Sequence, residues 1–100
     1  MPPNGTIKLQ VTGQGGVPTT GVGAVAINMT VTQPTAPGAA TVWPDGITRP
    51  NTSNLNFVAG ETIPNLVVVP VGSDGKIDLF NGGSGTSQYV GDVFGWFSSP

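Results

Sequence analysis

The chain has 100 residues, including 16 glycines and 10 prolines; 37% of it is hydrophobic, only 8% is charged, and the net charge is −2. That length suits one domain with a single core, and its three basic residues, Lys8, Arg49 and Lys76, exclude the electrostatic footprint that nucleic acid or an acidic membrane surface requires. With no cysteine and no histidine, the chain lacks disulfides, thiolate metal sites and the commonest general base.

Thr6 to Thr12 alternates, Ile7, Leu9 and Val11 on one face and Lys8, Gln10 and Thr12 on the other, which predicts a half-buried strand. Gly13-Gln14-Gly15-Gly16-Val17-Pro18 closes it in a loop. Gly23 to Thr32 is the most regular strand, with Val25, Ile27, Met29 and Val31 inward and Asn28, Thr30 and Thr32 outward. A loop carrying Pro34 and Pro37 leads to a short strand over Ala40 to Trp43, then to a polar stretch broken by Pro44-Asp45-Gly46 and Pro50. Asn54 to Val58 alternates again, with Leu55 and Phe57 on one side.

Ile63 to Val71 is almost wholly apolar and β-branched, as expected of a central strand covered on both faces, with Pro64 and Pro70 limiting its ladder to the middle. Ser73-Asp74-Gly75-Lys76 reads as a hairpin turn. Ile77 and Leu79 then point one way, Asn81 to Ser87 forms a Gly/Ser loop, and Gln88 to Phe97 is a final aromatic-rich strand. No stretch has helical periodicity. The expected fold is a single all-β domain over residues 1–100, an antiparallel β-sandwich of about seven short strands. Met1-Pro2-Pro3-Asn4 does not read as a secretory leader, and no apolar run approaches membrane-spanning length.

Trp43 to Gly46 (W-P-x-G), Arg49 to Asn56 (R-P-x-x-S-N-L-N), Pro64 to Gly72 (P-N-L-V-x-V-x-V-G) and Asp92 to Phe97 (D-V-x-G-aromatic-aromatic) together resemble a module common in secreted and cell-surface proteins of actinobacteria. The earlier QVTGQGGVPTTGVGAVAINMTVTQPTAP is similar to the same family, so the resemblance covers nearly the whole chain. It implies a secreted or surface location and use as one unit of a longer or tandem parent. Family members carry an upstream segment with a motif like R-L-L-D-T-R, which this chain lacks. The resemblance implies no settled activity.

Among the five carboxylates, Asp45 and Asp74 precede glycine in turns, Glu61 also falls in a turn, Asp78 takes an outward strand position, and Asp92 alternates with Val90, Phe94 and Trp96. Catalysis of glycoside hydrolysis would need two of them to converge, and turn chemistry accounts better for the Asp-Gly pairs than calcium binding does. No enzyme activity, metal or cofactor is therefore expected. Asp92 is assigned a structural role, accepting backbone N–H groups or pairing with Arg49 at a sheet corner.

Arg49, Asn51, Asn54 and Asn56, with Asp45 and the aromatic residues Trp43, Tyr89 and Trp96, form the candidate ligand site. Amides offer donors and acceptors to sugar hydroxyls, and aromatic faces offer stacking. The competing account is that the asparagines brace the loop backbone and Trp43 belongs to a core. Two readings follow: a non-enzymatic structural or adhesion module that associates with copies of itself, or a lectin-like module that binds polysaccharide.

Overall fold

Period-2 alternation places one face of most strands against a common interior, and that requirement organises the molecule. A computed structural model describes all of residues 1–100. The strands are β1 (Gly5–Gln10), β2 (Val22–Thr32), β3 (Gly38–Pro44), β4 (Leu55–Phe57), β5 (Ile63–Pro70), β6 (Lys76–Gly83) and β7 (Gln88–Ser98), and there is no helix. They build two antiparallel sheets, β1-β6-β3-β4 and β5-β2-β7, packed as a sandwich. Only β3 and β4 are both consecutive and paired; every other connection carries the chain from one sheet to the other.

Val25, Ile27, Met29 and Val31 of β2 face Ala40 and Val42 of β3, Leu55 and Phe57 of β4, and Ile77 and Leu79 of β6 across the core. Val67 and Val69 of β5 complete it. Full burial of each such aliphatic side chain stabilises the fold by about 1.5–3 kcal/mol relative to exposure. The alternation read from the sequence therefore identifies the core-facing residues of β2, β4 and β6.

Two expectations need correction. The Ile63–Val71 run is not a covered central strand: β5 is a sheet edge, with Leu66 56% and Val68 58% exposed. A continuous apolar run shows that both faces are apolar, not that both are covered, and Pro64 and Pro70 fit an edge because proline cannot donate to a second neighbour. Ser73 to Lys76 does turn, with the Gly75 amide donating to the Gly72 carbonyl at 2.9 Å. Gly75 has a φ of +75°, which glycine adopts without strain. The strands on either side nevertheless belong to different sheets, so this is a crossover and not a hairpin.

Candidate functional site

The polar stretch after Trp43 folds back over the outer face of the four-stranded sheet. Trp43 and Thr41 pair with Asp78 and Phe80 of β6 on that face, away from the sandwich core. Trp43 is nonetheless only 5% exposed, and its indole Nε1 donates to the Ile47 carbonyl at 3.2 Å. Its ring is a covered anchor, with no free face for a sugar.

Asn54 explains how the stretch is held. The β3–β4 ladder ends at Ala40–Leu55. Beyond it the Asn54 side-chain carbonyl accepts from the Val42 amide at 2.7 Å, and the Asn54 amide donates to the Ala40 carbonyl at 2.8 Å. The side chain thus takes the place of the next ladder residue. Asn65 donates to the Asn54 carbonyl, Thr41 donates to the Thr52 carbonyl at 2.7 Å, and Ser53 donates to the Asn56 side chain at 3.1 Å. Asn54 and Asn56 are thereby engaged within the fold.

Arg49 and Asn51 remain exposed. The Arg49 guanidinium lies 3.7 Å from the centre of the Phe80 ring, a cation–π contact. With Thr41, Ser53 and Asn51 they border a shallow depression of ≈ 310 Å³. Of the expected ligand site, this depression keeps Arg49 and Asn51 together and leaves out all three aromatic residues.

Asp45 is joined to Lys8 of β1, which also lies 3.9 Å from Asp78. Contacts with Asp74 and with the Lys8 ammonium hold the Asp45 carboxyl well below the usual carboxylate range. Burial, and then the neighbouring Asp45, push Asp78 upward. Asp78 does take an outward strand position, yet it is only 6% exposed, and its Oδ1 has no hydrogen-bond partner. Raising its affinity for a proton is the consequence of burying a carboxylate without a donor. No group of three or more Asp, Glu, His or Cys side chains is placed to hold a metal ion.

The remaining candidates lie on the other sheet. Tyr89 is half-buried and donates to the Asn81 side chain at 2.7 Å. Trp96 is 43% exposed and, with Phe94, Gly15 and Gly16, borders a separate open depression. Asp92 does not fix a sheet corner with Arg49: it is exposed on the three-stranded sheet opposite Asn28, whereas Arg49 covers the four-stranded sheet. The alternation with Trp96 fails because the β2–β7 register shifts, Ala26 pairing Gly95 but Ile27 pairing Val93. Asp92 and Val90 consequently face outward, while Trp96 stands level with core residue Val25.

Two contributors were not marked by sequence reasoning. Asn81, 1% exposed, donates to the carbonyls of Met1, Pro2 and Gly85 while accepting from Tyr89. Lys8 reads in the sequence as one of three basic residues on an outward strand position, and nothing local to it signals a partner in the Pro44-Asp45-Gly46 turn. No family model, curated protein or solved structure matches the chain.

Proposed function

We propose that the chain is a non-enzymatic structural and adhesion module of a secreted bacterial surface protein, and that it works by associating with copies of itself. The observation that carries this reading is the outer face of the three-stranded sheet. Pro64, Leu66, Val68 and Pro70 of β5, Ala24 and Ala26 of β2, and Val90 and Phe97 of β7 lie there side by side. Leu66, Val68, Val90 and Phe97 are each more than half exposed. Pro70, Ala24 and Phe97 form an apolar row across the sheet, Leu66 and Val68 extend it along β5, and Val90 lies beyond Asn28 and Thr30. Exposed apolar surface of this kind marks an association site. Asp92 is the only charged residue among those facing outward along the three paired strands, so two copies of the face meet little like-charge repulsion. The extracellular setting is supported by the motif resemblance and by the low charge.

Sedimentation velocity over a wide concentration range tests the reading. The mass of the wild-type protein is expected to rise with concentration, and Leu66→Thr combined with Val68→Thr is expected to hold it at the monomer. A sharp monomer mass for the wild type throughout would defeat the proposal.

A second reading, polysaccharide binding, is favoured by the exposed aromatic pair Phe94 and Trp96 beside Gly15 and Gly16. Stacking on such rings needs no charged partner. A glycan array separates the two: retention of a glycan that is lost on Trp96→Ala supports the lectin-like reading.

A further inference from the structure

The four-stranded sheet is one strand wider than the sheet it faces, and the overhang falls at β1. Ile7 and Leu9 point inward, opposite Leu79 and Ile77 in the ladder. Leu79 is 1% exposed, yet its neighbour Ile7 is 39% exposed. A cleft of ≈ 400 Å³ opens there between β1 and β7, its lining including Ile7, Leu9, Met29, Gly91 and Val93 and also Asp92. On the opposite side the sandwich is shut, because β3 and β4 pack against β5.

The four sheet edges differ in how they are guarded. β4 has three residues, too few to template a partner. β5 carries Pro64 and Pro70, and β1 is six residues long with Lys8 at its middle. Charge, proline and shortness are the usual protections against strand addition. β7 has 11 residues and neither proline nor lysine. Its one charge is Asp92, and its register against β2 is unbroken from Gln88 to Val93, so that stretch is the least guarded edge, and it borders the cleft.

We propose that the free edge of β7 is the seat of a donated strand, an extended segment of another polypeptide that completes the three-stranded sheet. Its apolar side chains, at alternate positions, would enter the cleft over Ile7 and Met29. Gly91 adds no side chain of its own, and because a Cβ there would stand 3.1 Å from Ile27 Cδ1, Ile27 forms the cleft floor beside Met29. A basic residue is specified on the donor's outward face, because residues opposite one another in a ladder share a face. Asp92 is exposed on that face, while the ion pairs of the molecule are made by Lys8 with Asp45 and Asp78. Main-chain hydrogen bonds give such a complex its affinity, and the alternate pockets give it selectivity. The edge and the cleft are distinct from the apolar face invoked for self-association, with which this site shares only Asp92.

The test uses two synthetic peptides of about nine residues, the length of a long strand. Both alternate valine and threonine; one carries arginine at the central threonine and the other glutamate. Amide exchange and chemical shifts of the labelled full chain report where they bind. The arginine peptide is expected to protect the β7 amides around Gly91 to Val93, and the glutamate peptide to bind several-fold more weakly. Asp92→Lys, at an exposed position, is expected to invert that preference, and Ile7→Glu to abolish binding of both peptides. Absence of binding up to about 1 mM, binding that leaves β7 unperturbed, or no response to Asp92→Lys overturns the proposal. So does protection of β7 that grows with protein concentration without peptide, since a second copy would then fill the seat.

Discussion

The outer faces of the two sheets both carry large apolar side chains, yet one is roofed and the other bare. On the four-stranded sheet, Trp43 and Asp78 lie under the folded-back stretch and Lys8, and Arg49 covers Phe80. On the three-stranded sheet, Leu66, Val68, Val90 and Phe97 have no roof. The difference is made by one polar segment. Its asparagines and hydroxyls supply backbone-like hydrogen bonds that let an irregular stretch lie flat on a sheet, as Asn54 does for Val42. An asparagine-rich loop that looks like a ligand site is, on this sheet, largely a cover. A roof and a bare face should respond very unequally to mutation.

The largest expected effect is on Trp43. If the roofed face acts as a second small core, Trp43→Ala should cost about 3–5 kcal/mol. At roughly 4–8 °C per kcal/mol, thermal unfolding would then begin far below the wild-type midpoint or be lost altogether. A variant that melts within a few degrees of wild type would mean that the roof contributes little. Asn54→Ala comes next. It leaves the Val42 amide without its acceptor, at a cost of about 1–3 kcal/mol, so calorimetry should show a lower midpoint. An unchanged midpoint would return Asn54 to the list of binding residues.

Asp78→Asn tests the same roof from its weak point and should move stability the other way. The carboxyl of Asp78 has its affinity for protons raised by folding. Its contribution is therefore most favourable below the ordinary carboxylate range and is lost as the pH rises through its raised folded value. Asparagine cannot ionise. The variant should be more stable than wild type at neutral pH, with the gain shrinking as the solution is acidified towards pH values below about 4. Denaturation midpoints across that range measure it, and a variant that is less stable at neutral pH would show that the Asp78 charge is needed beneath Lys8.

The smallest effect on stability belongs to the bare face. Leu66→Thr and Val68→Thr should each stay within about 0.5 kcal/mol of wild type, because both side chains are more than half exposed. A large loss would mean that the face is packed against something within the chain.

How much of this was legible follows from what alternation can report. Val25, Ile27, Met29 and Val31 could be read as core-facing because period 2 records burial on one side of a strand. Leu55 and Phe57 could be read from three residues for the same reason. Leu66 and Val68 misled because hydrophobicity records composition and not cover. Asp92 misled because a register shift beside Phe94 reverses facing beyond it, and nothing in the amino-acid types marks that shift. Of the candidate site, Trp43 as a core ring and Asn54 as a brace are both legible as alternatives in the sequence, because tryptophan beside a strand end and asparagine in an irregular loop each have an ordinary structural use. The junction of Lys8 with Asp45 spans 37 positions and depends on β1 lying beside β6, which no local pattern encodes.

That placement of β1 also bears on the order of assembly. The Met1 ammonium donates to the Ser87 carbonyl 86 positions away, and Asn81 binds the carbonyls of both Met1 and Pro2. Sequence-distant pairing of this kind slows folding to milliseconds or seconds in all-β domains, since the closure entropy falls due before the contacts that offset it. Of the seven strands β1 is made before the other six, yet its ladder partner β6 is the sixth in order. Until then Ile77 and Leu79 do not exist for Ile7 and Leu9 to pack beside, so β1 waits for its ladder partner while the four intervening strands are made.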